Sequence, residues 1–147
     1  MKNKKYKLPL QLGTILRKEQ HPTCANIGES IAQNIHLIIL TSFGEHRYDR
    51  KYGCSLWESD FAVVPQVKKW QNEMSKNLGS TIEKHEKRLN KVLVSIKIDQ
   101  EEFMDPVDQK VKRIKKRIQV EVKGKLRKTN EDFSFHDIVY YSPVSLD

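Results

Sequence analysis

The stretch Thr41 to Leu56, TSFGEHRYDRKYGCSL, places charged side chains, aromatic rings and two glycines in one connection. It directly follows an apolar segment with helical periodicity. Gly44 and Gly53 lie towards its two ends, and glycine adopts positive φ without steric cost, so the pair predicts sharp backbone turns there. Isolated charged residues in loops are usually solvated, but a connection this rich in polar and aromatic residues favours a fixed shape or a binding surface.

The residues before this stretch predict a capped helix that runs to about Thr41. Asn26 and Glu29 have the spacing of a capping box. Isoleucines then recur at helical spacing, which predicts one buried stripe that packs on a sheet. These are Ile27, Ile31, Ile35, Ile38 and Ile39. His36 has no Cys or carboxylate at ligand spacing and therefore predicts no metal site.

The residues after the stretch predict a second helix that begins at Pro65, because proline suits the first helical turn. Its apolar stripe is Val67, Trp70, Met74 and Leu78. Gly79 is predicted to end this helix in the left-handed conformation. Ser80 and Glu83 then predict a new capping box for a short third helix that runs to Arg88. A kink at Gly79 within one helix is the alternative.

The C-terminal half changes to the period of two that is typical of strands. Val92 to Ile98 alternates apolar and polar residues, and the acidic segment Asp99 to Asp108 predicts a loose hairpin connection. Ile114 to Arg127 has the clearest alternation in the chain. Phe133 to Tyr141 predicts a third strand at the edge of the sheet.

Helices followed by antiparallel strands predict an α+β fold, with two to three helices on one face of a small antiparallel sheet of about three strands. Residues 26–147 are predicted to form a single domain. Residues 1–25 are predicted to form an extended N-terminal arm, because Pro9 disfavours a helix there. The arm is expected to dock on another surface.

No segment has the pattern of a membrane span or of a signal peptide. The longest apolar run, Leu37 to Leu40, is far shorter than the ~20 residues that a transmembrane helix requires. The basic N-terminal segment has an apolar run that Pro9, Gln11 and Gly13 interrupt. Cys24 and Cys54 are therefore expected to be reduced thiols in the cytosol.

The net charge of +8 is concentrated in one strand. Lys110 to Lys128 contains ten Lys or Arg residues against Glu121 alone, a local charge of +9 that exceeds that of the whole chain. The predicted basic strand face consists of Arg113, Lys115, Arg117, Lys123, Lys125 and Arg127. Such a face is compatible with binding to nucleic-acid phosphates, with binding to an acidic protein surface, and with exposure to solvent without a partner. Because no aromatic rings are interleaved with these charges for bases to stack on, we favour an acidic protein surface.

Two separated motifs in this chain resemble the baseplate-wedge family of contractile tails, which includes the small wedge protein of contractile phages and TssE of type VI secretion systems. The first follows an apolar helix and matches at Gly44, Glu45, Tyr48, Asp49, Tyr52, Gly53 and Leu56. Arg50 replaces the proline common in the family, and His46 replaces a frequent arginine. The second motif, Glu-Pro-Arg in the family, is Glu86-Lys87-Arg88 here. The resemblance covers roughly Asn26 to Leu126.

The resemblance implies a structural baseplate protein of the bacterial cytoplasm, recruited to the baseplate at the inner membrane. It implies sheath subunits of the TssB and TssC type as partners, together with wedge proteins of the TssF, TssG and TssK type. The membrane is contacted only through the assembled machine. The implied motif residues are Glu45, Arg47, Asp49, Tyr52, Gly53, Glu86 and Arg88. A phage or prophage tail protein is the alternative within the family.

The sequence contains little that predicts catalysis. Some members of the family carry a lysozyme label, and Glu45 and Asp49 are the obvious candidate acids. A glycosidase needs one protonated carboxyl, whereas the arginines of this loop favour the charged forms. We therefore expect no enzyme activity, no cofactor, no metal and no small-molecule substrate. A basic nucleic-acid-binding module is the alternative of another class, and specific nucleic-acid binding is not expected.

Overall fold

A computed structural model describes residues 5–10, 13, 16, 25–58, 67–104 and 112–141, apart from the side chains of 100–104, 112–116 and 141. The described elements are helices followed by a three-stranded antiparallel sheet, so the α+β prediction is confirmed. Neither of the two α-helices in these ranges has the length and apolar character of a membrane span.

Helix α1, Ile27–Leu40, begins and ends close to its predicted limits. The Asn26 side chain accepts a hydrogen bond from the Glu29 amide at 2.7 Å, and the Glu29 carboxylate accepts one from the Asn26 amide at 2.9 Å, so the capping box is confirmed. The helix ends where Thr41 becomes extended. Four isoleucines of the predicted stripe are fully buried, namely Ile31, Ile35, Ile38 and Ile39.

Helix α2, Val67–His85, is one continuous helix of 19 residues, so the predicted end at Gly79 is wrong. The hydroxyl groups of Ser80 and Thr81 donate hydrogen bonds to carbonyls one turn earlier, at 3.0 Å each, and fit the helical backbone. Leu78 and Ile82, on either side of Gly79, are both buried. Each contributes about 1.5–3 kcal/mol, which exceeds the cost of about 1 kcal/mol for a helical glycine. The predicted start at Pro65 lies outside the described residues.

The sheet has the order β1-β2-β3, with β1 at Leu89–Met104, β2 at Lys112–Leu126 and β3 at Asp132–Tyr141. The predicted loose connection from Asp99 is therefore wrong for residues 99–104, which continue β1. The register sets the acidic end of β1 opposite the basic start of β2, with Asp99 across from Arg117. Opposite charges at paired positions stabilise antiparallel strands, which explains the longer hairpin.

Both helices pack on the same face of the sheet, α2 against β1 and α1 against β3. The inner face carries the predicted apolar residues, and Ile96, Ile118 and Val139 are buried there. Nδ1 of His36 on α1 also lies 2.6 Å from Oδ2 of Asp137 on β3. The opposite face of the sheet is left without a helix in the described part of the chain.

The predicted N-terminal arm is described only at residues 5–10, 13, 16 and 25. The Lys5 carbonyl accepts a hydrogen bond from the Ala25 amide at 2.7 Å, and Lys7 pairs with Glu29 at 2.7 Å. Gly13 and Leu16 have helical backbone, in contrast to the extended chain predicted for them. The rest of the arm lies outside the described residues.

Candidate functional site

A buried carboxylate, Glu86, lies where α2 ends and β1 is about to begin. Only 2% of Glu86 is exposed. Its Oε1 accepts hydrogen bonds from the Arg88 backbone amide at 3.1 Å and from Arg88 Nε at 2.6 Å. Arg88 Nη2 donates to Oε2, so the guanidinium binds both carboxylate oxygens. This two-pronged geometry fixes orientation as well as charge.

Two residues of α1 complete the surroundings of this pair. Asn34 Nδ2 donates a hydrogen bond to Glu86 Oε2 at 3.0 Å. Arg88 Nη1 donates to the Ser30 hydroxyl at 2.9 Å, and Nη2 lies 3.4 Å from the Ser30 carbonyl oxygen. Ser30 and Asn34 are four residues apart and share one face of the helix. The pair therefore connects α1 to the junction between α2 and β1.

Tyr52 connects the loop at Thr41 to Leu56 to the same carboxylate. Its hydroxyl donates a hydrogen bond to Asn34 Oδ1 at 3.0 Å, while the amide group of Asn34 donates to Glu86. We call Ser30, Asn34, Tyr52, Glu86 and Arg88 the Glu86 clamp. It joins the loop, both helices and the first strand through one buried charge.

The surroundings of Glu86 favour its ionised carboxylate and the charged guanidinium of Arg88. Burial by itself raises the pKa of Glu86, but hydrogen bonds from Arg88 and Asn34 outweigh burial, so the pKa is lowered overall. The hydrogen bond to Glu86 raises the pKa of Arg88. The pKa of Tyr52 is raised by burial and by the negative charge of Glu86. The ion pair is therefore intact over the physiological pH range.

The backbone of the loop is closed by bonds between its two ends. Cys54 N donates to the Thr41 carbonyl at 2.9 Å, next to a parallel bridge between Ser42 and Cys54. Gly53, which precedes Cys54, has a φ of +119°, and a Cβ on it would lie 2.5 Å from the Thr41 carbonyl oxygen. Gly44 also has positive φ, at +83°. The predicted roles of both glycines are confirmed.

His85, the last residue of α2, holds the loop against that helix. Its Nε2 donates to the Lys51 carbonyl oxygen at 3.2 Å, and its Nδ1 lies 3.7 Å from Oδ2 of Asp49. The His85 ring also meets the Tyr52 ring edge-on, with 5.3 Å between centroids. These contacts fix the position of the loop relative to the Glu86 clamp.

The structure separates the predicted motif residues into two groups. Tyr52, Glu86 and Arg88 belong to the Glu86 clamp, with Gly53 and Asp49 supporting the loop beside it. Glu45 instead folds back on its own loop and accepts a hydrogen bond from the Ser42 amide at 2.8 Å. Arg47 lies over the exposed Tyr48 ring at 5.8 Å.

Sequence reasoning missed three contributors to this site, Ser30, Asn34 and His85. Ser30 and Asn34 carry a detectable signal, because two polar residues spaced four apart flank the isoleucine stripe of α1. His85 has no such signal. Its contacts become apparent only from the position of the loop.

The basic strand face is less positive than its sequence indicates. In the described part of this face, Arg117 pairs with Asp99 at 3.4 Å, Lys123 with Glu121 at 2.8 Å and Lys125 with Asp132 at 3.0 Å. His136 on β3 lies 3.1 Å from Glu121 as well. The side chains of Arg113 and Lys115 lie outside the described residues.

The candidate acids of the loop do not have the setting of a glycosidase. A hydrogen bond from the Lys51 amide lowers the pKa of Asp49, and nearby Lys84, His85 and His46 lower it further. The predicted cause, arginine, is not among these groups. Glu86 is the buried carboxyl, but it is ion-paired. Within the described residues, no three His, Cys, Asp or Glu side chains lie close enough to hold a metal.

Comparisons with known proteins identify one family and one similar fold. The family model described as baseplate wedge protein gp25 matches residues 25–131 of this chain. A crystal structure of a candidate tail lysozyme from Geobacter sulfurreducens is similar with a TM-score of 0.58 and 17% sequence identity, covering 85% of this chain and 100% of that chain. At that identity the likeness shows a shared fold. No curated protein sequence matches the chain.

Proposed function

The chain belongs to the baseplate wedge protein gp25 family, and we propose that it templates and anchors the first ring of sheath subunits in a contractile injection machine. Family membership makes it a structural component of a contractile tail baseplate. The role in starting the sheath is the further step that we propose, and it follows from the resemblance together with two features of the fold.

The Glu86 clamp is the observation that carries this proposal. A template must hold the sheet that it presents at one angle to the rest of the protein. Glu86 and Arg88 lie between the end of α2 and the start of β1, and they reach across to Ser30 and Asn34 on α1. Buried ion pairs contribute little net stability but can specify one arrangement. We propose that the Glu86 clamp has this role.

The sheet edge supplies the surface to which a sheath strand would add. β1 is an edge strand, and within the described residues no strand pairs with its free side. β3 pairs only with residues 116–125 of β2, so the distal part of the β1–β2 hairpin is a two-stranded ribbon. An exposed strand edge binds an extended segment through main-chain hydrogen bonds. This supports strand addition by a sheath subunit.

We propose that the machine is a type VI secretion system and that the protein is TssE-like. Its partners would then be sheath subunits of the TssB and TssC type and wedge proteins of the TssF, TssG and TssK type. Its location would be the bacterial cytoplasm, at the baseplate on the inner membrane. A phage or prophage tail is the alternative, and neighbouring genes for membrane-complex proteins or for capsid proteins decide between them.

We also propose that the protein has no catalytic activity and needs no cofactor. The low pKa of Asp49 and the ion pair of Glu86 support this, because a glycosidase requires a protonated acid. Purified protein is incubated with peptidoglycan, and released reducing sugar is measured. Release that is lost in Glu45→Gln would contradict the proposal.

Arg88→Ala tests the templating role, with Arg127→Ala as the matched control. Arg127 is exposed at the same end of the sheet, and its backbone amide bonds to the Arg88 carbonyl at 2.8 Å. We expect Arg88→Ala to join its wedge partners in co-purification but to abolish fluorescent sheath foci. Arg127→Ala should form foci at the normal frequency. Normal foci in Arg88→Ala would refute the proposal, as would loss of foci explained by degraded protein on immunoblots.

A further inference from the structure

A pocket of about 330 Å³ lies between the loop and helix α2, on surfaces that the Glu86 clamp does not use. Phe43, Arg50 and Lys51 line it from the loop. Ser80, Thr81 and Lys84 line it from the helix. None of these residues belongs to the sheet, so the pocket is separate from the sheet edge that we propose as the sheath template.

Three cations line this pocket, and Asp49 lies near enough to Lys84 for that charge to lower its pKa. Within the described residues, no carboxylate lies within ion-pair distance of Arg50, Lys51 or Lys84. By contrast, three of the four described cations of the strand face, Arg117, Lys123 and Lys125, are each paired with an acid. Asp49, the acid nearest in sequence, is held by the Lys51 amide and faces His85. The lining of the pocket therefore has three cations and no carboxylate.

The pocket is also held in shape by contacts of the loop. Gly44 N donates to the Arg50 carbonyl at 2.9 Å, and His85 Nε2 donates to the Lys51 carbonyl. Because backbone groups of Arg50 and Lys51 are fixed in this way, a ligand does not need to order the loop when it binds. Preorganisation of this kind lowers the entropic cost of association.

The lining specifies the ligand class. Phe43 supplies an apolar wall, and the stems of Lys and Arg add further apolar surface while their charged ends remain in water. One aromatic ring does not make a stacking platform for successive bases. We infer that the pocket binds an acidic segment of another protein, in which Asp or Glu side chains meet the three cations and a neighbouring apolar side chain packs on Phe43.

A short N-acetylated peptide amide that alternates glutamate with leucine tests this inference. Its binding to the full-length protein is followed by amide chemical shifts in NMR. We expect saturable shifts centred on Phe43, Ser80 and Lys84, which weaken as salt is added. The matched peptide with glutamine in place of glutamate should not bind. Equal binding of the two peptides would overturn the inference, because charge would then have no part in it.

Lys84→Gln and Lys76→Gln form the matched pair of variants, since both lysines are exposed on α2 and only Lys84 lines the pocket. We expect Lys84→Gln to raise the dissociation constant about threefold to fivefold and Lys76→Gln to leave it unchanged. Equal effects of the two variants would overturn the inference. So would saturable binding of inorganic phosphate or oligothymidine at the same residues without binding of the glutamate peptide.

Discussion

The Tyr52 hydroxyl lies 3.0 Å from Asn34 Oδ1, and through this contact the loop meets the buried carboxylate of Glu86. The amide side chain of Asn34 accepts from one partner and donates to the other, so its orientation is set from both sides. The loop that marks the family resemblance is thereby coupled to the ion pair of the second motif. Two motifs that are far apart in the chain form one structural unit.

Tyr52→Phe should destabilise the protein by about 1 kcal/mol, because it removes the hydroxyl donor to Asn34 while keeping the ring against His85. Urea unfolding followed by circular dichroism measures the change. Tyr48→Phe is the control, since Tyr48 is 88% exposed, and it should change the unfolding free energy by less than about 0.5 kcal/mol. Equal effects of the two variants would show that the Tyr52 hydroxyl has no stabilising role.

Arg88→Ala should lower the unfolding free energy at pH 7 by about 3–5 kcal/mol, because it leaves the Glu86 carboxylate buried without its partner. A typical domain stability of about 5–15 kcal/mol tolerates this loss. The double variant Arg88→Ala with Glu86→Gln should recover part of it, since the unpaired charge is gone. Unfolding curves of the single and double variants check this, and a double variant less stable than Arg88→Ala would contradict it.

Acid should weaken the protein through Glu86. The folded-state pKa of Glu86 is lowered from 4.5, so its stabilising contribution is fully present above about pH 4.5 and is lost as the pH falls through the folded-state value. In Arg88→Ala, burial still raises the pKa of Glu86, whereas the guanidinium no longer lowers it. The folded-state pKa should therefore be higher than in the parent protein, and the defect should be smaller at pH 4 than at pH 7. Thermal unfolding across this range measures both. A pH-independent Arg88→Ala defect would contradict the assignment to Glu86.

Two glycines should respond to alanine in opposite ways. Gly53→Ala combines positive φ with a Cβ 2.5 Å from a backbone oxygen, and we expect a loss of at least about 2 kcal/mol. Gly79→Ala places its Cβ at 3.7 Å from Val94 Cγ2, an ordinary contact. Higher helix propensity should then stabilise the protein by about 0.5–1 kcal/mol. Chemical denaturation measures both changes, and destabilisation by Gly79→Ala would indicate tighter helix packing than the structure shows.

The Cys54 thiol should be unreactive in the folded protein. Burial raises its pKa to about 11, and its Sγ lies 3.2 Å from the Ile39 carbonyl oxygen. Because the thiolate is the reactive form, labelling by iodoacetamide in a Cys24→Ser background should occur only on unfolding. Mass spectrometry at increasing urea concentrations follows the labelling. Rapid modification without urea would contradict the burial of this thiol.

Features that depend on neighbours in the chain could be predicted from the sequence. The capping box at Asn26 and Glu29 forms across three residues, and the turns at Gly44 and Gly53 follow from local sterics. The alternation of β2 is likewise a local pattern, and Ile118, Val120 and Val122 are buried as it predicts. In such cases the interacting groups are close in the chain, and their spacing is itself the signal.

The continuity of α2 through Gly79 and the length of β1 depended on distant residues. Gly79 is a weak helix former, and only the burial of Leu78 and Ile82 against other elements outweighs that preference. Taken alone, the acidic segment that begins at Asp99 is typical of a loop. In the structure it continues β1, because the basic strand β2 pairs with it. Local propensity correctly indicates that a glycine is unfavourable in a helix and that an acidic segment is unfavourable in a strand. The contacts that offset these two costs come from residues far away in the chain.

By itself, the sequence determined an α+β protein with a capped isoleucine helix, an antiparallel hairpin and two motifs of the baseplate wedge family, since each is encoded by residues close together in the chain. The tertiary structure alone decided that Glu86 is buried and bonded to Asn34, 52 residues away, and that Arg88 meets Ser30, 58 residues away. It also decided which cations are neutralised and which remain at the pocket. Burial and ion pairing are fixed by distances in space, and no local pattern specifies them.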